Sequence, residues 1–316
     1  MTILDTECRK HIPVMASEVL EYLIPQEGAC RVVDCTLGYG GHSSLILQKN
    51  REIELLGIDR DDNAINNAAN VLGFAMERVK LVKGKFSEIV DIMNSVGWND
   101  ADAVLLDIGV SSPQIDEVER GFSHRFNGPL DMRMDRKNTK TAARILNHSS
   151  IEELAHIFRN FGEIKKSWKL AEAVVERRKL KPWLGTKELA ELCEDILPRP
   201  RRGSLPVPTL CFQALRIAVN DELGELEKSL EAVIDILCSG GRAAVISYHS
   251  LEDRIVKNIF KREATECLCP PGLPICQCGH VPLLKILTKK PLTASSSEIQ
   301  VNRRSASAKM RVAEKL

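Results

Sequence analysis

The chain has 316 residues, of which 44% are hydrophobic and 28% charged, and its formal net charge is +1. This composition is typical of a globular protein that can bury a sizeable core without disulfides. No run of about 18 apolar residues occurs, so the sequence predicts no transmembrane helix. Residues 1–10 mix acids and bases without an apolar stretch, so we expect no secretory signal and a cytoplasmic location.

The first third of the sequence alternates between short β-branched runs and helical patterns. Such alternation is typical of a parallel sheet with helices on both faces. We therefore predict an α/β fold with a doubly wound, mostly parallel, Rossmann-like sheet. The predicted strands are Arg31–Asp34, Ile53–Ile58, Val79–Val82 and Ala101–Leu106, and the predicted helices are Ala16–Leu23, Ser43–Gln48, Asp62–Leu72 and Glu88–Val96.

A glycine loop separates the first strand from its helix. Gly38, Gly40 and Gly41 allow a tight turn and let a ligand approach the backbone without a Cβ in the way. The N–H groups of the following helix would point toward that ligand. A dinucleotide fingerprint would need a third glycine where Ser43 stands, so a dinucleotide is disfavoured. A merely structural turn remains the alternative.

Three of the four strands end in an acid, at Asp34, Asp59 and Asp107. Ligands of open parallel sheets bind beyond the carboxyl ends of the strands, so all three carboxylates should ring one crevice. A carboxylate accepts two hydrogen bonds at once, which suits the two hydroxyls of a ribose at Asp59. Acids at Asp34 and Asp107 favour a cationic ligand such as S-adenosylmethionine over a pyrophosphate. The residues therefore predict a nucleoside-binding, methyltransferase-like domain.

After Asp107 the alternation stops and a helical insertion follows. We predict four segments: a first core part at 1–114, a helical insertion at 115–208, a second core part at 209–265, and a basic extension at 266–316. The later predicted elements are helices Thr141–Asn147, Ile151–Phe161, Lys165–Leu180, Thr186–Leu197, Cys211–Leu237 and Leu251–Lys261, a turn at Gly240–Gly241 followed by a strand to Ser247, and a strand at Leu283–Leu287.

Several long strings resemble the RsmH (MraW) family, and the resemblance covers nearly the whole chain. They include DCTLGYGGHS at 34–43, LLDIGVSSPQ at 105–114, GPLDMRMD at 128–135, FQALRIAVNDEL at 212–223 and SYHSLEDR at 247–254. The resemblance implies an S-adenosylmethionine-dependent methyltransferase that modifies the N4 amine of a cytidine in the decoding region of 16S ribosomal RNA. One departure lies in the tail, where Arg303 replaces the usual proline of an Asn-Pro-Arg-Ser string.

The resemblance also implies individual cofactor contacts. The loop and His42 would hold the methionine end, Asp59 the ribose and Phe86 the adenine, while Asp107 and Gln114 would face the reacting side. The implied set is Gly40, Gly41, His42, Asp59, Phe86, Asp107 and Gln114.

Catalysis at a cytosine amine needs acceptors for its N–H groups beside the methyl donor. Many amino-methyltransferases place an Asp/Asn/Ser-Pro-Pro-aromatic motif after the fourth strand, where this chain has Ser111-Ser-Pro-Gln without the aromatic. We predict Asp107 together with Ser111 or Ser112 as these acceptors. A simple turn at Ser-Ser-Pro is the alternative.

The target base of an RNA substrate must be unstacked and held by basic side chains, and we expect the helical insertion at 115–208 to recognise the RNA. Residues 285–316 carry eight Lys and Arg against two Glu. Tyr248 and His249, after a core strand, are predicted to flank the base. The candidate cations are Arg133, Arg199, Arg201, Arg202, Arg303, Arg304, Lys309 and Arg311.

We expect the partner to be 16S ribosomal RNA within the small subunit, with no membrane partner, and the sequence leaves a homodimer open. Two other functions also remain open: an N4-methyltransferase of DNA or another RNA, and a non-catalytic ribosome-assembly factor that binds S-adenosylmethionine.

The ten cysteines are expected to be reduced thiols in a cytoplasmic protein. Four of them form two C-x-C pairs followed by a histidine, namely Cys267, Cys269, Cys276, Cys278 and His280. We expect no catalytic metal. A structural zinc ion and a loop of reduced thiols both remain open, since these pairs are tighter than the usual C-x-x-C spacing.

Overall fold

The computed structural model of the protein describes residues 12–24, 28, 30–109, 117–198, 205–270 and 275–316. The chain forms two compact units, which are treated separately below. The first consists of Met1–Gly109 and Leu226–Leu316, and the second of Val110–Glu225. None of the helices in these described ranges has the length and apolar character needed to span a membrane.

The first unit is built on an eight-stranded sheet, and its four N-terminal strands confirm the predicted ones. Its order is β3-β2-β1-β4-β5-β8-β6, with β7 paired to β8. Strands β1 to β5 are parallel, whereas β6, β7 and β8 pair antiparallel. The strands are β1 (Cys30–Asp34), β2 (Ile53–Asp59), β3 (Val79–Lys83), β4 (Ala101–Asp107), β5 (Leu237–Ser247), β6 (Leu284–Ile286), β7 (Leu292–Thr293) and β8 (Lys309–Lys315).

Twelve α-helices lie within the described ranges. In chain order they are α1 (Ala16–Leu23), α2 (Gly41–Lys49), α3 (Asp62–Val71), α4 (Ile89–Ser95), α5 (Ala142–His148), α6 (Ile151–Asn160), α7 (Ser167–Leu180), α8 (Thr186–Ile196), α9 (Val207–Asn220), α10 (Glu222–Ile236), α11 (Ser250–Glu263) and α12 (Ser296–Val301). Short 3₁₀ turns occur at Gly73–Arg78, Phe86–Glu88, Val118–Arg120 and Arg303–Ser307.

The sheet of the first unit is buried on both faces. Successive side chains of a strand point to opposite faces, and the sequence of β1 shows the consequence. Val32 joins one apolar cluster and Val33 the other, while Leu105 and Val104 of β4 divide in the same way. Strands buried on both faces read as continuous apolar runs, which is why β1, β2 and β4 were visible in the sequence.

The strand order reverses at β1, which lies between β2 and β4. At such a switch point the connections leave to opposite sides and open a crevice beyond the carboxyl ends of the strands. Asp34, Asp59 and Asp107 are the last residues of β1, β2 and β4. The fold therefore brings the ends of the three predicted acid-terminated strands to one edge.

The second unit is helical and has its own core. Side chains from α5 to α9 pack around fully buried Phe158 and Trp183. The ends of its helices carry local signals, such as the Ser150 and Glu153 capping box of α6. The four helices predicted for the insertion are confirmed to within a few residues.

Two boundaries differ from the predicted ones. The helical unit extends to Glu225 rather than to residue 208, because Phe212 and Leu215 of α9 pack in its core. The predicted single helix Cys211–Leu237 is two helices, since Asp221 adopts a left-handed φ of 51° between them. The periodicity continues across this break, so apolar spacing could not reveal it.

The C-terminal residues form β8, a strand that was not predicted. It lies between β5 and β6, with Arg311 opposite Val245. The charged Arg311 sits in a strand otherwise buried on both faces, and this charge masks the apolar run. The predicted turn at Gly240–Gly241 is also different, because β5 continues through it with a register shift against β4.

Candidate active site

The glycine loop turns sharply between β1 and α2. Gly38 and Gly40 adopt positive φ angles of 52° and 78°, a region that glycine enters without steric cost. The N–H of Gly40 donates to the Leu37 carbonyl at 2.8 Å, and its own carbonyl accepts from Ser44 N–H at 2.8 Å to begin the helix. The two glycines are thus required by the backbone conformation of the loop.

Asp59 is tied to this loop through the backbone. One carboxylate oxygen accepts from Gly38 N–H at 2.9 Å, and the other accepts from Asp61 N–H at 2.9 Å. Burial raises the pKa of Asp59, and the two N–H groups oppose that rise. An ionised carboxylate has about four acceptor positions, so both oxygens can still accept from hydroxyl groups of a ligand.

Asp34 holds the base of the loop instead of lining the crevice. Its carboxylate is 1% exposed and accepts from the Ser43 hydroxyl at 2.6 Å and from Thr36 N–H at 3.1 Å. Burial raises its pKa, with the Ser43 hydrogen bond opposing. The expectation that Asp34 faces a cationic ligand is therefore wrong, because the start of α2 covers this carboxylate.

Asp107 is the acid that remains accessible at the switch point. Its side chain is 20% exposed, and its Oδ1 accepts from the Tyr248 hydroxyl at 2.8 Å. Its Oδ2 lies 3.7 Å from His42 Nδ1, and its backbone N–H donates to Thr36 Oγ1 at 2.6 Å. Two side chains therefore contact the carboxylate, and a third contact fixes the backbone of Asp107 at the end of β4.

The hydrogen bond of His42 selects one tautomer of its neutral imidazole ring. Its Nε2 lies 2.8 Å from the Val14 carbonyl, which can only accept, so Nε2 carries the proton. The neutral ring then turns the lone pair of Nδ1 toward Asp107, and the cationic ring turns an N–H toward it. His42 is thus held by the segment before α1, and through it that segment positions the site.

Tyr248 stays protonated, and its hydroxyl donates a hydrogen bond to Asp107. Burial, and then the charge of Asp107, raise the pKa of the Tyr248 hydroxyl far above its usual range. The ring occupies space that a side chain at residue 109 would fill, since a Cβ on Gly109 would lie 2.6 Å from Tyr248 Cε2. The glycine after β4 is therefore needed for this contact.

His249 serves as the N-cap of α11. Its Nδ1 accepts from the Glu252 N–H at 3.4 Å, and the Glu252 carboxylate accepts from the backbone N–H groups of Tyr248 at 2.8 Å and His249 at 3.2 Å. Glu252 is fully buried. The predicted pair Tyr248 and His249 thus divides into a partner of Asp107 and a helix cap.

The remaining predicted cofactor contacts have different surroundings. Phe86 is buried in the core beneath the end of β3, with the Arg60 guanidinium 5.4 Å from its ring centroid. Its packing against adenine stays a prediction. Ser111, Ser112 and Gln114 lie outside the described residues, and their roles stay predictions too.

The candidate cations fall into two groups. Arg133 makes a two-pronged ion pair with Asp131 at 2.7 and 2.8 Å and also donates to the carbonyls of Arg136 and Asn138. Burial would raise the pKa of Asp131, but the hydrogen bonds from Arg133 overcome it and lower that pKa. Arg133 therefore organises its own loop.

In the tail, Arg311 is 8% exposed and pairs with Asp253 of α11 at 2.6 Å, which gives it a structural role. Lys309 lies 3.7 Å from the same carboxylate. Arg303 is exposed and Arg304 is half-buried. Arg199, Arg201 and Arg202 lie outside the described residues.

The tail is nevertheless joined to the site. Met15 N–H donates to Glu298 of α12 at 2.8 Å, and the Asn302 amide donates to the Ile12 carbonyl at 3.0 Å. These bonds fasten the end of the chain to the segment whose Val14 carbonyl orients His42. Sequence reasoning missed this connection, and it missed the roles of Thr36 and Ser43. Their hydroxyls, close after a strand-ending acid, were the available signal.

A protein-family model matches nearly the whole length of this chain. The model of the MraW methylase family matches residues 8–316. The chain belongs to the MraW methylase family.

Curated relatives have the same length and a consistent name. "Ribosomal RNA small subunit methyltransferase H" of Carboxydothermus hydrogenoformans is 46% identical over 306 residues, covering 97% of this chain and 98% of the relative. The protein of that name from Heliobacterium modesticaldum is 47% identical over 311 residues, with 97% and 98% covered. A crystal structure of a putative rRNA-methylase from Clostridium thermocellum aligns more loosely, at 12% identity over 95% of both chains with a TM-score of 0.43.

Proposed function

We propose that this MraW methylase family member is an S-adenosylmethionine-dependent methyltransferase of small-subunit ribosomal RNA, and that it modifies the N4 amine of a cytidine in the decoding region. One observation carries the proposal: the accessible carboxylate of Asp107 is oriented at the switch point beside the glycine loop. The names of the curated relatives support the substrate class. The enzyme would work in the cytoplasm, where small subunits are assembled.

The residues at the edge of the sheet suit S-adenosylmethionine. Gly38, Gly40 and Gly41 offer backbone without side chains to the methionine end, and Asp59 offers two oriented acceptors to the ribose hydroxyls. Phe86 and Gln114 are proposed for the adenine and the reacting side. When bound, the cofactor supplies a methyl group made electrophilic by its sulfonium.

The chain itself must compensate for a poor nucleophile. The lone pair of the cytosine amine is delocalised into the ring, so its N–H groups need well-placed acceptors and its nitrogen needs a fixed position. Asp107 accepts one N–H and takes the proton that the nitrogen releases on methylation. Tyr248 and His42 hold the carboxylate in place for this. Ser111 and Ser112 are proposed as the second acceptor.

RNA recognition is assigned to the helical unit and to the tail. An exposed cytosine must be held by stacking and by cations on its backbone. Arg303 is the tail residue that best fits the second requirement, because it is exposed, whereas Arg311 is buried and pairs with Asp253. Arg304 is proposed beside it. A net charge of +1 suits a partner that presents a particle surface, so we propose the small subunit rather than naked RNA as the substrate.

Methyl transfer by the Asp107→Ala variant tests the proposal. Small subunits and naked 16S RNA lacking the modification are incubated with labelled S-adenosylmethionine, and N4-methylcytidine is quantified by mass spectrometry after digestion. We expect the variant to lose roughly 10²- to 10⁴-fold in the rate on small subunits, the usual contribution of a proton acceptor. Calorimetry measures the cofactor affinity of the variant, so that the loss of a cofactor contact is separated from the loss of the proton acceptor.

Asp91→Ala is the matched control, since this exposed acid lies on α4 away from the strand ends. Full methyl transfer by Asp107→Ala with normal cofactor affinity would refute the catalytic role. Cofactor binding without any methylated product from the parent protein would favour an assembly factor instead. Methylation of DNA or another RNA in preference to small subunits would replace the proposed substrate.

A further inference from the structure

The loop at the end of α11 has no apolar interior among the residues that the structure describes. It runs through residues 264–282 between α11 and β6, and it is closed at its base by Leu283 N–H donating to the Glu263 carbonyl at 2.8 Å. No residue of this segment that the structure describes is buried. Leu268, Ile275 and Val281 are 45%, 74% and 68% exposed. Burial of side chains therefore cannot hold the described part of this loop in one conformation.

Four sulfur atoms converge in this loop instead. The Sγ atoms of Cys267, Cys269, Cys276 and Cys278 all lie within 4.8 Å of one another. Cys276 Sγ is 3.4 Å from the sulfurs of Cys267 and Cys278 and 4.0 Å from that of Cys269, and the sulfurs of Cys267 and Cys278 are 3.9 Å apart. All four are free cysteines.

These distances match those of a tetrahedral metal site. A zinc ion with four Zn–S bonds of about 2.3 Å holds its sulfurs roughly 3.8 Å apart, because the edge of a tetrahedron is about 1.6 times its centre-to-corner length. A disulfide would need a separation of about 2.05 Å. A cluster of several irons would separate the cysteines further, since each would bind a different iron.

Backbone donors point at the sulfurs as well. Leu268 N–H donates to Cys278 Sγ at 3.3 Å, Cys269 N–H to Cys267 Sγ at 3.4 Å, and Gln277 N–H to Cys269 Sγ at 3.3 Å. Such donors stabilise thiolates and orient metal ligands. His280 is not part of this converging group. Its Nε2–H donates to the Arg262 carbonyl at 3.2 Å and joins the loop to α11.

We propose that Cys267, Cys269, Cys276 and Cys278 bind one structural zinc ion. Four thiolates fill the tetrahedral shell, which leaves no open position for a substrate or water and makes the site structural rather than catalytic. Soft thiolate ligands select zinc among the common cellular divalent ions. Each thiol releases its proton when the metal binds. The ion cross-links the two C-x-C pairs and thereby folds a loop that has no core.

Metal analysis of the full-length protein tests the site. The protein is purified without a metal-affinity tag or chelators, and its metals are measured by mass spectrometry. We expect about one zinc per chain, as a closed four-cysteine site requires. Cys276→Ser should reduce zinc at least several-fold. The matched control is Cys238→Ser, since the thiol of Cys238 donates to Asp102 on the sheet and lies outside the cluster, and this variant should keep its zinc.

Three further readouts do not depend on the variants folding. Native thiol titration of the parent should show four additional reactive thiols after chelation, and replacement by Co²⁺ should produce thiolate-to-cobalt charge-transfer bands. Thermolysin, which cleaves beside apolar residues, should cleave within 264–282 only after chelation, while the circular dichroism spectrum of the chain stays nearly unchanged.

Each opposite result overturns the site. Zinc far below one per chain after reconstitution, with the four thiols already reactive, would leave the cysteines as loop thiols. Stoichiometric iron would replace zinc as the metal. Equal zinc loss from Cys238→Ser and Cys276→Ser would show that the zinc is bound elsewhere.

Discussion

The two ends of α11 differ in how the polar side chains beside them are held in position. At its N-terminal end, Tyr248, His249 and the fully buried Glu252 are positioned by hydrogen bonds beside Asp107. At its C-terminal end, residues 264–282 contain no buried side chain among those described, and four sulfurs converge instead.

This difference shows which interactions can hold a group of polar side chains in a fixed arrangement. At the strand ends the surrounding core excludes water, so each hydrogen bond is strengthened and a carboxylate keeps one orientation. In the cysteine loop no such environment exists, and the cross-linking must come from strong bonds to an ion whose binding energy becomes folding energy. Polar substitutions should therefore have large effects at the first end, and apolar substitutions should have small effects at the second.

Among the substitutions that affect cofactor binding or stability, the largest effect is expected for Asp59→Ala. The substitution removes the acceptor of Gly38 N–H and both proposed ribose contacts. Hydrogen bonds to a charged group contribute about 1.5–3 kcal/mol each, so cofactor affinity should fall by roughly 10²-fold or more. Isothermal titration calorimetry with S-adenosylmethionine measures this directly.

Glu54→Ala is the control for Asp59→Ala, because this exposed acid lies on the same strand and pairs only weakly with Arg31. Its affinity should match that of the parent. An Asp59→Ala variant that also binds the cofactor normally would remove the ribose role.

An intermediate effect that depends on pH is expected for Asp34→Asn. Because burial raises the pKa of Asp34 in the native state, the unfolded chain ionises first, and ionisation of Asp34 lowers stability as pH rises from about 4 through the native pKa. The asparagine lacks this loss, so the variant should gain stability relative to the parent over that range, by about 1.4 kcal/mol for each unit of pKa shift.

Urea unfolding of both proteins at several pH values above 4 checks the Asp34→Asn prediction. A lost hydrogen bond from Ser43 or Thr36 would add a difference that does not vary with pH. Unfolding free energies that run parallel across the range would contradict a raised pKa.

The smallest effect is expected for Ile275→Ala in the cysteine loop. Because the side chain is 74% exposed, its removal should change the unfolding free energy by less than about 0.5 kcal/mol. The matched control is Ile259→Ala in α11, a buried position where about 2–5 kcal/mol should be lost. A loss above 1 kcal/mol at Ile275, by urea unfolding on the same scale, would mean that the loop does pack through apolar contacts.

The parallel strands and the acids that end them could be predicted because both are local. A strand buried on two faces is a run of apolar residues, and Asp34, Asp59 and Asp107 follow such runs directly. The glycines of the loop were informative for the same reason, since a left-handed φ favours glycine at that one position in the sequence. Strand β8 could not be predicted, because Arg311 is accommodated there only by Asp253, which is 58 residues away.

The amino-acid sequence by itself therefore determined the class of fold, the glycine loop, the membership of a methylase family and the acids that end three of the parallel strands. Only the tertiary structure decided which of the acids stays accessible. Asp34 is covered by Ser43 and α2, whereas Asp107 is left open between Tyr248 and His42. The tertiary structure also shows that the sulfur atoms of the four loop cysteines converge, which their spacing in the sequence did not establish. The reason is physical: burial and charge pairing depend on contacts between residues far apart in the chain, and no local pattern encodes those contacts.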